Sequence, residues 1–179
     1  MTGSLLGAAA PGFARPLEVL EACHGRIAKQ CDTLEKILAH LPAHGADAQA
    51  QQAARAVLAY FDTAAVHHHD DEERNLFPLL EQAGAPGACD LVEALTLEHD
   101  ELALLWRRLS PALRQLGTGA ANALDEALAR RFIALNRSHL EFENTHVLPL
   151  ARQTLGAADV ERLGRAMAAR RGVPFAERP

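Results

Sequence analysis

The chain has 179 residues, 49% of them apolar and 23% charged, the balance of one soluble globular domain with a substantial core. A formal charge of −5 gives no basis for nucleic-acid or anionic-membrane binding, and no window approaches the ~18 uninterrupted apolar residues of a transmembrane helix. Three cysteines, Cys23, Cys31 and Cys89, form no C-x2-C pair and fit a reducing cytoplasm better than a disulfide framework.

Residues 1–15 carry a short apolar patch without a basic n-region, cut by Pro11-Gly12, and are expected to form a flexible arm and not a signal peptide. A first helix is predicted from Leu17 to Leu41, with Leu20, His24, Ile27, Cys31 and Leu34 on one face, stopped by Pro42 and Gly45. Asp47 is placed to cap a second helix running to Ala83, with Phe61, His68, Glu72, Leu76 and Leu79 inward. Gly84-Ala85-Pro86-Gly87 breaks the chain. A third helix starts near Ala88 and turns Leu95, His99, Leu102, Trp106 and Leu109 inward. Ser110-Pro111 is expected to kink or end it, and Gly117-Thr118-Gly119 to form a loop. A fourth, Ala120 to Leu155, presents Phe132, His139, Glu143, Val147 and Leu150. Pro78 and Pro149 are expected to bend their helices. A last helix over Ala158–Arg171, with Val160, Leu163 and Met167 on one side, should lie across one end. The fold class is all-α: an up-down-up-down four-helix bundle over 16–155, with a short additional C-terminal helix and tail over 156–179.

The chain repeats itself. His68-x3-Glu72-Glu73-x2-Leu76-Phe77-Pro78-Leu79 is echoed 71 residues on by His139-x3-Glu143-Asn144-x2-Val147-Leu148-Pro149-Leu150, and Phe61 and Phe132 each precede their histidine by seven residues. Leu20-x3-His24-x2-Ile27-x3-Cys31-x2-Leu34 is echoed by Leu95-x3-His99-x2-Leu102-x3-Trp106-x2-Leu109. A His and a Glu four apart share one side of a helix, so each half offers an imidazole and a carboxylate together. A lone His on an apolar stripe is usually a hydrogen-bonded core residue, and a single His-x3-Glu pair usually a surface pair. Four such patterns at matching offsets are not explained that way.

His24, His68, Glu72, His99, His139 and Glu143 all fall on inward stripes. Buried carboxylates demand compensation, which metal ions provide. Imidazole with carboxylate suits iron, manganese or zinc, while calcium and magnesium prefer oxygen alone. Six donors exceed one tetrahedral zinc and suit two ions, each with two histidines and both carboxylates bridging. In the crowded 67–73 run, alignment with the second half selects His68 and Glu72. His69 and Glu73 then fall about 100° around the helix, at the edge of the site or in solvent. His67, Asp70 and Asp71 read as a solvated face, His146 as a neighbour of the ligands, and His40 and His44 as exposed.

With these motifs the chain resembles the hemerythrin-like family, the HHE cation-binding domain, across about residues 16 to 155. The resemblance rests on His24, His68-His69-Asp70-Asp71-Glu72-Glu73 leading to Leu76-Phe77-Pro78, Glu98-His99, and His139-x3-Glu143. It implies a non-haem di-iron centre, oxo- or hydroxo-bridged, with zinc or manganese as alternatives. His24, His68, His99 and His139 would be terminal ligands, and Glu72 and Glu143 bridging ones. Oxygen-carrying members have two histidines four apart on the third helix, whereas Leu95 and Ala103 flank His99 here. Their fourth helix uses His and Asp five apart, in place of His139 and Glu143. Counted this way, both irons keep an open position, which favours reactive handling of dioxygen, peroxide or nitric oxide over reversible carriage.

The expected function is a metal-binding protein that handles or senses oxygen, peroxide or nitric oxide, or buffers iron. An oxidase, peroxidase or nitrosative-stress repair enzyme on the same irons is the alternative, and a metal-free helical interaction module a third. No cysteine, tyrosine or nucleotide motif is evident beside the site to carry a catalytic cycle, with Tyr60 off the inward line. No output domain lies within these 179 residues, so a sensor would signal through a partner protein.

Overall fold

The computed structural model describes residues 12–175; the expected arm over 1–15 therefore lies mostly outside the described residues. Helices α1 (Pro16–His44), α2 (Ala48–Phe61), α3 (Ala64–Asp71), α4 (Phe77–Gln82), α5 (Ala88–Thr118), α6 (Glu126–Phe142), α7 (Leu148–Thr154) and α8 (Ala157–Arg170) follow in order. Two π-helical segments, Glu72–Leu76 and Glu143–Val147, join α3 to α4 and α6 to α7. The described residues contain no strand, and none of their helices is long and apolar enough to cross a membrane. Helix α1 packs on α2 and α6, and α5 packs on the same two, which closes the four-helix bundle.

Asp47 caps α2 as expected, its side chain accepting from the Ala50 N–H at 2.9 Å. Asp125 does the same for α6 through Leu128, so that helix starts at Glu126 and not at Ala120. Neither Pro42 nor Pro111 ends its helix. A proline inside a helix costs about 3 kcal/mol, but Leu109, Leu113 and Leu116 are fully buried on both sides of Pro111. Each buried leucine is worth about 1.5–3 kcal/mol, so the apolar stripe carries α5 on to Thr118. Gly119, at φ 76°, then supplies the left-handed turn that ends it.

The expected single second helix is interrupted at Asp62–Thr63. The Asp62 carboxylate accepts from Trp106 Nε1 and from Arg114, both at 3.0 Å, and the Thr63 hydroxyl returns to the Ala59 carbonyl at 2.6 Å. Pro78 and Pro149 stand just beyond the π segments. Each lacks the N–H that would bond four residues back, to Arg74 and Thr145, and both of those carbonyls lie inside a π segment.

The buried apolar residues form two clusters. One gathers Ile27, Phe61, Leu102, Leu109 and Phe132, the other Leu20, Leu76, Phe77, Leu95 and Val147. Between them run His24, His68, Glu72, His99, His139 and Glu143, all buried, so the bundle holds a polar layer between two apolar caps. Helix α8 packs on α1, α3 and the first π segment, burying Leu163 and Met167. Its approach is close enough that a Cβ on Gly164 would collide with the Phe13 carbonyl.

In the metal-free protein, Leu109→Ala should lower unfolding free energy by about 2–5 kcal/mol, while Leu97→Ala, at a side chain 64% exposed, should stay within about 0.5 kcal/mol. Urea denaturation followed by circular dichroism measures both.

Candidate metal centre

The polar layer places all six candidate donors together. Nε2 of His68 and of His24 lie 3.5 and 3.9 Å from Glu72 Oε1. The same two nitrogens are 3.9 and 3.3 Å from Glu143 Oε2. On the other side, His99 Nε2 is 3.6 Å from Glu72 Oε2, and His139 Nε2 is 3.3 Å from Glu143 Oε1. Each carboxylate therefore turns one oxygen to each pair of imidazoles. The geometry defines two positions: His24, His68, Glu72 and Glu143 on one side, and His69, His99 and His139 on the other, with the ligand atoms of each group within 4.8 Å of one another.

His69 is the departure from the expected set. It is half-buried, and its ring stacks on the His99 ring at 4.0 Å, with the His139 ring 6.0 Å away. Three imidazoles thus share one position and two share the other. The wide π turn at Glu72–Leu76 starts immediately after this run.

The site atoms are tested for metal by what they lack. Nε2 of His24 and His68, Oε2 of Glu72 and both Glu143 oxygens are buried without a hydrogen-bond partner. Unpaired buried carboxylate oxygens cost several kcal/mol unless something positive sits among them. His99 Nε2 and His139 Nε2 face each other at 3.1 Å. That separation matches two adjacent corners of a coordination shell with metal–nitrogen bonds of about 2.1 Å. The nitrogen and oxygen donors suit iron, manganese or zinc. The residues fit.

The far nitrogens are held so that Nε2 points inward. Nδ1 of His99 donates to Glu73 at 2.7 Å, Nδ1 of His139 to Glu98 at 2.8 Å, and Nδ1 of His24 to Asn144 Oδ1 at 2.7 Å. Such partners orient a ligand and raise its basicity. Two of them follow the internal repeat. Glu73 and Asn144 are twins 71 residues apart, and each holds the lone histidine of the opposite half. That signal was present in the sequence but gains meaning only when the helices are seen facing each other. The third breaks the repeat: position 23, twin of Glu98, is a cysteine, and His68 Nδ1 has no partner. Cys23 is buried beside His24, its sulfur accepting from Arg26 at 2.8 Å, and the Tyr60 hydroxyl reaches the Cys23 carbonyl. A cysteine and a tyrosine thus stand closer to the site than the sequence suggested.

Burial and crowding set the electrostatics of the layer. Burial and the facing Glu143 carboxylate push Glu72 well above the ordinary carboxylate range. Burial also pushes Glu143 up but is outweighed by the His139 imidazole 3.3 Å away and by His68 and His24, which hold it far below that range. Burial and neighbouring imidazoles lower His68 and His69. In His139, burial acts downward but the nearby Glu143 carboxylate and the bond to Glu98 prevail and raise it.

Other expected placements change as well. Asp71 is fully buried and ion-paired to Arg170 and Arg171, not part of a solvated face. His146 stacks on Phe142 at the surface, away from the cluster. His44 is exposed, as expected, and stacks on the half-buried His40 within α1. Ile27, Phe61, Ala65, Leu102, Trp106 and Phe132 line a cavity of about 170 Å³ that reaches His69 and Asn136.

Compared with known proteins, residues 15–151 match the model of the hemerythrin HHE cation binding domain. An uncharacterized protein of Haemophilus influenzae is 32% identical over 158 residues, covering 88% of this chain and 91% of its own length.

Glu72→Gln should stabilise the metal-free protein at pH 7 by about 1–3 kcal/mol, because the amide removes a buried carboxylate with no counterion. A raised folded pKa gives stability that is present below the unfolded value of 4.5 and lost as pH rises through the folded one. The variant's advantage should therefore be largest near neutrality and fade below pH 4.5, which thermal melts in chelator across pH would show.

Proposed function

This chain belongs to the hemerythrin HHE cation binding domain family, and on that premise we propose that it is a non-haem di-iron protein that binds or senses a small ligand such as dioxygen, nitric oxide or peroxide. The observation that supports this reading is the split of the two carboxylates, each offering one oxygen to each group of imidazoles. His24 and His68 would hold one ion, His69, His99 and His139 the other, with Glu72 and Glu143 shared between them. When bound, a pair of irons supplies Lewis acidity and reversible electron exchange toward such a ligand.

The histidine asymmetry bears on where that ligand arrives. With three imidazoles and two carboxylate oxygens, the His69 position is almost saturated by this chain alone. The His24–His68 position has one protein donor fewer and is the one left for an outside ligand. On this reading the two ions differ in openness, whereas the sequence-based expectation left both equally open. Around the centre, the apolar caps keep water out and favour small uncharged molecules. Glu73, Glu98 and Asn144 fix the imidazole planes and keep their Nδ1 protons away from the ions.

Protein made without a His-tag and reconstituted anaerobically with ferrous iron should hold two irons per chain. Glu143→Ala and Glu72→Ala should reduce iron affinity by roughly 10- to 100-fold, and His146→Ala should leave it unchanged. Full iron content in both glutamate variants would remove the ligand assignment. A ligand-dependent spectrum without sustained consumption of oxygen, peroxide or nitric oxide supports binding or sensing; turnover above a free-iron control supports an enzyme.

A His69→Ala variant separates the two ions. It should keep the ion at His24 and His68 and lose affinity at the other by about tenfold or more, read by metal titration. Equal loss at both positions, or at neither, would place His69 outside the ligand set.

A further inference from the structure

Helix α8 lies beyond the residues that match the family model, yet it ends on the metal layer. Asp71 is the residue before Glu72, and its side chain is 0% exposed. Its carboxylate is held by two guanidinium groups from the end of α8. Arg171 reaches Oδ2 at 2.7 Å and Oδ1 at 3.2 Å, and Arg170 reaches Oδ1 through Nη1. With its other nitrogen Arg170 donates to Asn75 Oδ1 at 2.7 Å. One arginine thus spans the first π segment, gripping the residue before it and a residue inside it. Arg171 is itself anchored to the Met167 carbonyl at 3.0 Å.

A π turn is an uncommon, strained form of helix that reverts to an α turn unless its surroundings hold it. The Glu72 N–H still bonds the His68 carbonyl and the wide bond runs from the Phe77 N–H to the Glu72 carbonyl, so reversion here would rotate the His68–Glu72 turn relative to Leu76 and Phe77. The twin segment gives the contrast. Positions 142 and 146, equivalent to 71 and 75, are Phe142 and His146, which are both exposed and stack on each other at the surface. Two π segments of the same length and register are therefore supported differently, one by α8 and one without it.

We propose that Arg170 and Arg171 are positioning residues for the metal centre: through Asp71 and Asn75 they lock the first π turn and so the direction of the Glu72 carboxylate. The inference rests on the di-iron reading for its consequence but on the clamp geometry for its substance. Two readouts keep these apart. In metal-free protein, Arg170→Gln/Arg171→Gln should speed hydrogen exchange of the 72–76 amides by about tenfold and change the 143–147 amides by less than about threefold. With cobalt(II) as the probe ion, the same variant should bind roughly 10- to 100-fold more weakly, while Phe142→Ala/His146→Ala should bind as the parent does.

Unchanged exchange at 72–76 would overturn the proposal. So would equal acceleration in both π segments, since that is what a helix contributing only general stability would produce. If the double variant does not fold, Arg171→Gln alone, which leaves the Arg170 contacts, decides on the same comparison. A parent protein that takes up no cobalt would count against the di-iron reading, and the exchange comparison would still decide the clamp.

Discussion

Two glutamates face each other in the middle of an apolar bundle, and nearly everything distinctive about the molecule answers to that. A bundle of this size could fill its centre with leucine at no electrostatic cost. Here Glu72 and Glu143 repel each other across a layer shut off from water. The histidines, the outer acceptors behind them and the apolar caps above and below form an arrangement that is poor as a core and good as a cage for cations. Stability has been given up locally for a pre-formed coordination shell, and the two large apolar clusters supply it elsewhere.

Much of this was legible in the chain because a bundle repeats its pattern and this one repeats it twice. The stripes carrying His24, His68, His99 and His139 follow helical periodicity, and apolar neighbours at equal offsets show which side is inward. What remained hidden depends on contacts between distant segments. His69 reads as one step off the stripe, and only the folded chain shows its ring stacked on His99. Asp71 looks like one more charge in an acidic run until α8 closes over it with two arginines. The prolines misled for the opposite reason. Local propensity says that Pro111 ends a helix, and the leucines buried around it outweigh that preference.

The π segments are where the two levels meet. Each begins at a shared carboxylate and ends just before the Leu/Phe-Pro pair of its repeat. The proline that looked like a bend in the sequence sits against a widened turn that presents the glutamate. A local backbone exception thus serves the centre, and because it occurs in both halves the two carboxylates meet face to face.

The crossed bracing by Glu73 and Asn144 has a consequence for how the centre comes into being. The first half's lone histidine is held by an amide from the second half, and the second half's by a carboxylate from the first. Neither half by itself possesses an oriented set of donors. A chain whose halves stand apart therefore lacks the bonds that orient His24 and His99, while His139 keeps Glu98 from its own half. The full set of inward-facing nitrogens is thus a property of the closed bundle and of neither half alone.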